Sequence, residues 1–146
     1  MRIVLGADHG GFALKEHVKE TLKAGGHSVS DVGTSSAEST DYPQFAHDAA
    51  QMVADGDADM AVLACGSGNG VAIVANKVPG IRAVNAHDAD EAALSRRHNH
   101  ANVVTLSGAR LEPAEADHIV AAFLATETEG GRHERRVGQI VALESE

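Results

Sequence analysis

Apolar residues fall in short continuous runs, separated by stretches in which they recur every three or four positions. The first run, RIVLG (Arg2–Gly6), reads as a strand stopped by glycine. GFALKEHVKETLKAGG then puts Leu14, Val18, Thr21 and Leu22 on one helical face, and Gly25 and Gly26 close that helix. HSVSDVG alternates apolar and polar, as a strand at a sheet edge does. Pro43 opens a helix to about Ala54, with Phe45, Ala49, Met52 and Val53 inward. MAVLAC is a third strand, followed by a helix from about Asn69 to Asn76; GIRAVNA is a fourth strand, followed by the helix DADEAALSRRH. Val103–Leu106 is a fifth strand, Pro113 starts a helix to about Ala125, and RHERRVGQIVAL reads as a final helix. Strand and helix thus alternate five times. Such a pattern predicts an α/β chain: a Rossmann-like three-layer α/β/α sandwich with a five-stranded parallel sheet and a C-terminal helix, one domain over residues 1–146.

Composition changes this picture little. Aromatics are only 3%, so Val, Ile, Leu and Ala must fill the core. The single cysteine cannot form an internal disulfide, and MRIVLGADHGG reaches Gly6 and Asp8 too early for a signal peptide. No run has the roughly 18 apolar residues of a membrane span. A cytoplasmic protein is expected. The net charge of -9 argues against nucleic acid or an anionic membrane as partner. Against that background Arg132, Arg135 and Arg136 crowd into GGRHERR, as a local anion site or simply a solvated face.

In parallel sheets, ligands bind beyond the carboxyl ends of the strands. Asp8 and His9 follow the first strand. Thr34 and the group Asp41, Tyr42 and Pro43 follow the second, and Cys65-Gly66-Ser67-Gly68-Asn69-Gly70 follows the third. The glycine loop runs from strand into helix, so its N–H groups favour an anion, and the same field favours the thiolate of Cys65. The loop lacks the GK[ST] of a nucleoside triphosphate loop, and GADHGG lacks the dinucleotide spacing. Cys65 reads either as a base or nucleophile beside an anion hole or as a small buried hydrophobe. His98 reads equally as a helix C-terminal cation. No pair of histidines shares a predicted face with acidic ligands, so no metal site is expected.

GADHGGFALK, DVGT, DYP, CGSGNG, ANKVPGIRA, SRRHNHANV and GGRHERRV occur in the order and spacing of ribose-5-phosphate isomerase B proteins, a family that includes the galactose-6-phosphate isomerase subunits. The resemblance runs from Met1 to Val141. It implies an aldose–ketose isomerase that acts on ribose 5-phosphate and ribulose 5-phosphate through an enediolate, without a cofactor. Cys65 would be the base, while the Gly66, Gly68, Asn69 and Gly70 amides and the Ser67 hydroxyl would hold the enediolate oxygens. By the same likeness Asp8 and His98 would open the furanose ring. His9, Arg132, Arg136 and, more weakly, Arg110 would hold the phosphate, with Tyr42 and Asn99 lining the site. Many members carry threonine at the position of Ser67. One branch uses a glutamate base where this chain has Val71, which leaves Cys65 as the base here. The segment from His98 to Arg110 reads one residue longer than the usual pattern. A tetrose or hexose phosphate is the alternative substrate, and a non-catalytic anion-binding module the alternative class.

Topology adds one expectation. Cys65 follows a strand, whereas His98 follows a helix and precedes the fifth strand, so the two belong to opposite rims of the sheet. A strand of about five residues spans about 17 Å. If both residues serve one site, a two-fold homodimer must bring His98 of one subunit to Cys65 of the other, either alone or within a dimer of dimers.

Overall fold

A computed structural model of the chain describes residues 1–145. Its strands are β1 (Arg2–Ala7), β2 (Ser28–Asp31), β3 (Met60–Cys65), β4 (Ala83–Asn85) and β5 (Val103–Ser107). Its helices are α1 (Phe12–Ala24), α2 (Pro43–Ala54), α3 (Asn69–Ala75), α4 (Ala89–Asn99), α5 (Pro113–Ala125) and α6 (Arg132–Leu143). All strands pair in parallel, in the order β2-β1-β3-β5-β4. The α/β/α sandwich expected from the apolar pattern is the fold observed.

Burial follows strand position. Every residue of β3 and β5 is buried, because helices cover both faces there. β2 is the alternating edge strand, with only Val29 partly buried, and β4 is the other edge. One face of the sheet is sealed by α1, α4 and α5 through Leu14, Val18, Leu22, Ala92, Ile119, Val120 and Phe123. The other is sealed by α2 and α3 through Ala46, Ala49, Ala50, Val71 and Ala75. α6 packs against α4.

Two helix faces differ from the sequence reading. On α1, Thr21 is exposed, and the buried stripe is Leu14, Lys15, Val18 and Leu22. Lys15 takes the remaining place because its ammonium reaches Asp31 at 2.6 Å and Glu16 at 3.0 Å, which compensates burial of the charge. On α2, the fully buried positions are Ala46, Ala49 and Ala50, while Phe45, Met52 and Val53 are half-buried at the margins. Small side chains let this helix lie close to the sheet, and the larger ones fill its flanks. Two strands also run further than their apolar runs, to Ala7 and Ser107.

The chain visits β2 on one side of β1 and then crosses to β3 on the other. That reversal opens a crevice at the carboxyl ends of β1 and β3. Phe123 is the one large aromatic with no exposed surface, and it anchors α5 to the sheet. Phe123→Ala is expected to cost about 3–5 kcal/mol. In urea unfolding this reads as a lower midpoint with an unchanged slope.

Candidate functional site

The crevice is lined by three loops held in close backbone contact. Asp8, just past β1, is buried, and its Oδ1 accepts the Gly11 N–H at 3.1 Å. That bond turns the chain sharply into α1. Gly11 then lies so close to β3 that a Cβ there would collide with the Ala64 backbone. Gly108, past β5, donates its N–H to the Cys65 carbonyl at 2.8 Å.

Cys65 ends β3 and is buried, at 5% exposed. The Gly68 N–H donates to its Sγ at 3.2 Å. Gly68 makes this turn with φ of 83°, a conformation glycine adopts without strain. Ser67 is exposed, and its Oγ accepts the Asn69 N–H at 3.1 Å, which leaves its O–H to donate elsewhere. The Tyr42 ring covers Gly70, where a Cβ would meet its hydroxyl-bearing edge. His9 Nδ1 lies 3.2 Å from both the amide nitrogen and the carbonyl oxygen of Thr40. Arg110 is exposed just beyond β5 on the same rim.

The other candidates lie at the opposite end of the sheet. The segment from His98 to Asn102 meets the strand starts: Asn102 O accepts the Ala61 N–H at 3.1 Å, and Arg82 Nε donates to Asn99 O and His100 O at 3.1 Å each. Arg96 Nη1 donates to Ala101 O at 2.6 Å. Arginines thus cap the end of α4 and fix the placement of His98 and Asn99. The half-buried His98 ring stacks on His133 with centroids 4.1 Å apart and planes 4° from parallel. Arg132 and Arg136 stand exposed on α6 around that stack.

One chain therefore gathers Asp8, His9, Tyr42, Cys65, Gly66, Ser67, Gly68, Asn69, Gly70 and Arg110 on the carboxyl rim. It leaves His98, Asn99, Arg132 and Arg136 on the amino rim. The five steps of the six-residue β3, about 3.3 Å each, separate the two sets by about 17 Å.

The apolar pattern did not reveal Glu129 and His133. His133 is 8% exposed although it sits in a run that reads as a solvated face, and its Nε2 lies 3.6 Å from Glu129 Oε1. The sequence signal was their four-residue spacing across the helix start. Glu129 is held in turn by Arg97 Nε at 3.7 Å, and its N–H donates to Arg97 O at 3.0 Å. Ligand atoms of His98, Glu129 and His133 lie within 4.8 Å of one another, a cluster not expected from the sequence. The imidazoles are parallel, however, so their in-plane lone pairs do not converge on a common point. The apolar hollow between α1 and α5, lined by Val18, Leu22, Val120 and Leu124, holds none of the candidate residues.

The ribose/galactose isomerase family model matches residues 3–140. The chain belongs to that family. It is 46% identical over 144 residues to ribose-5-phosphate isomerase B of Escherichia coli K12, a match covering 98% of this chain and 96% of the relative. The ribose-5-phosphate isomerase B structure from Clostridium thermocellum has a TM-score of 0.98 at 43% identity, covering 99% of this chain and 98% of that one. The ribose-5-phosphate isomerase B structure from Mycoplasma genitalium, with bound ribulose 5-phosphate, has a TM-score of 0.95 at 39% identity, covering 99% and 97%. Family membership brings both rims into consideration together, because motifs from each are among those that carried the resemblance.

Burial, and then the neighbouring His98, Arg132 and Arg136, hold the His133 imidazole below its usual pKa of 6.5, against the opposing pull of Glu129. A neutral native ring that must charge on unfolding makes the unfolded state bind more protons below about pH 6.5. Stability is accordingly expected to fall as pH drops through and below that value. His133→Phe, which keeps a ring for the stack, is expected to flatten this acid slope in melting temperatures measured from pH 7.5 to 5. An unchanged slope would mean that His133 does not titrate on unfolding.

Proposed function

We propose that this chain interconverts ribose 5-phosphate and ribulose 5-phosphate, with Cys65 as the proton-transfer base and without a cofactor. The observation that carries this reading is a thiol at the sheet's crevice, with an amide N–H on its sulfur and a run of backbone amides beside it. The chain's enzymatic class is that of the ribose-5-phosphate isomerase B relatives, an aldose–ketose sugar-phosphate isomerase.

Isomerisation moves the proton on C2 of the open aldose to C1 and the hydroxyl proton on O2 to O1. As Cys65 Sγ takes the proton, the C2 electrons form the C1–C2 double bond and charge moves onto the carbonyl oxygen. Preorganised N–H donors stabilise that oxyanion more than the neutral carbonyl, which lowers the barrier. The Gly66, Gly68, Asn69 and Gly70 amides and the Ser67 hydroxyl fill this role. Tyr42 closes the site over Gly70. Asp8 and His98 open the sugar ring by moving a proton between the ring oxygen and the anomeric hydroxyl. His9, Arg110, Arg132 and Arg136 hold the phosphate, for which the guanidinium fork is well suited.

His98, Asn99, Arg132 and Arg136 reach this site from a second subunit. The separation of the two rims supports a two-fold homodimer with shared sites, alone or paired into a tetramer. The distance from Cys65 to the partner's arginines then selects the length of the sugar. Among the described residues no helix is long and apolar enough to cross a membrane. A free buried thiol suits the reducing cytoplasm, where we place the reaction.

Purified protein in EDTA is expected to convert ribose 5-phosphate to ribulose 5-phosphate faster than tetrose or hexose phosphates. Equal rates across the panel would remove the preference for ribose 5-phosphate, and no turnover of any sugar would leave only a binding module. Cys65→Ala is expected to lower kcat by about 10²–10⁴-fold while KM changes little. Near-normal turnover in that variant would remove Cys65 as the base. Arg132→Ala is expected to weaken phosphorylated substrate by about 1.5–3 kcal/mol and inorganic phosphate inhibition with it. Equal loss on free ribose would point instead to a folding role.

A further inference from the structure

The loop after β3 can serve a developing anion only if its carbonyl oxygens face elsewhere. Each of its first four carbonyls is captured from behind. Cys65 O accepts the Gly108 N–H at 2.8 Å, and Gly66 O accepts the Ala109 N–H at 3.1 Å and the Ser107 hydroxyl at 2.7 Å. Ser67 O accepts Asn85 Nδ2 at 3.1 Å, and Gly68 O accepts the Thr105 hydroxyl at 2.8 Å. Thr105 and Ser107 are completely buried on β5. Asn85, at the end of β4, is half-buried.

Asn85 and Thr105 are also coupled to each other. Thr105 Oγ1 lies 3.2 Å from Asn85 Oδ1, and Asn85 Nδ2 donates to Asn69 Oδ1 at 2.7 Å as well as to Ser67 O. In this orientation the Asn85 amide nitrogen meets two acceptors, Ser67 O and Asn69 Oδ1. Occupying Asn69 Oδ1 turns the remaining Asn69 amide hydrogens toward donation.

We infer that Asn85 and Thr105 are positioning residues that hold the Ser67 and Gly68 carbonyls away from the crevice, so that these two peptide oxygens do not oppose the charge developing on the reacting oxygens. They touch the loop and not the sugar. The assignment rests on the isomerase reading above for its kinetic consequence, but the loop geometry it describes does not. Holding the hole open before the reaction matters most in the transition state, where charge on oxygen is greatest. Losing either residue therefore affects turnover more than binding.

Thr105→Val keeps the shape of the buried side chain and removes its hydroxyl. It is expected to lower kcat by about 10–100-fold with KM within about 2-fold. Thr105→Ser, which restores the hydroxyl, is expected to recover most of that loss. A Val variant with normal kcat, or a Ser variant no better than Val, overturns the inference. Asn85→Ala, at a half-buried position, is expected to give the same split, and an effect on KM alone overturns it. Amide hydrogen exchange at Gly68, read by NMR in the ligand-free protein, separates this inference from the isomerase reading. Exchange is expected to accelerate by about 10-fold or more in Asn85→Ala, because Ser67 O and the Gly68 N–H share one peptide plane and leave their partners together. Unchanged exchange overturns the inference even if the wild-type protein is an active isomerase. Faster exchange supports it even if no sugar phosphate is turned over.

Discussion

Carbonyl oxygens withdrawn from water must find donors, and between Cys65 and Gly68 they find them all behind the loop. The rest of the site depends on this constraint. β5 lies beside β3 in the sheet, so its terminal hydroxyls and the turn that follows it supply most of the donors. β4 lies beside β5 and adds Asn85. One amide of the same turn, the Gly68 N–H, rests on the sulfur of the single cysteine in the chain. The crossed order β3-β5-β4 is thus a feature of the chemistry as well as of the packing, because sequential order would put a different strand end behind the loop.

Electrostatics divides the molecule along the same axis. The chain carries a net charge of -9, yet cations gather at the amino rim, where Arg132 and Arg136 flank the stacked His98 and His133. A phosphorylated sugar needs both environments: amides for a transient oxyanion and guanidinium groups for a permanent dianion. Within one subunit these lie at opposite ends of the sheet. Joining them across the proposed two-fold axis would let each be built on rigid elements, without a long loop crossing the sheet.

The sequence was legible where burial sets the residue type. β3 reads directly as a run of buried apolar residues, and the alternation of SVSD marked β2 as an edge. It was misleading where size and burial part company. Alanines, not Phe45, Met52 and Val53, make the close face of α2, and an ion-paired lysine takes the place assigned to Thr21 on α1. The strand order was not legible, because local pattern makes strands without naming their neighbours. For the same reason Asn85, Thr105 and Ser107 passed as ordinary strand residues until pairing put their donors behind the loop. Cys65, the glycines and the arginines stood out because nothing in a plain sandwich calls for them, and the family likeness gave them roles. His133 was hidden by its charged neighbours, since one buried position on an amphipathic helix looks like the rest of an arginine-rich run.

Complementation between subunits tests the shared site most directly. Cys65→Ala and His98→Ala proteins, each nearly inactive alone, are mixed and allowed to exchange, with mixed dimers verified by mass spectrometry. A mixed dimer holds one intact site and one doubly damaged site. Random pairing makes about half of the dimers mixed, so roughly a quarter of wild-type activity is expected to return. If mixed dimers form and no activity returns, His98 does not serve the Cys65 of its partner, and the two-subunit site is wrong.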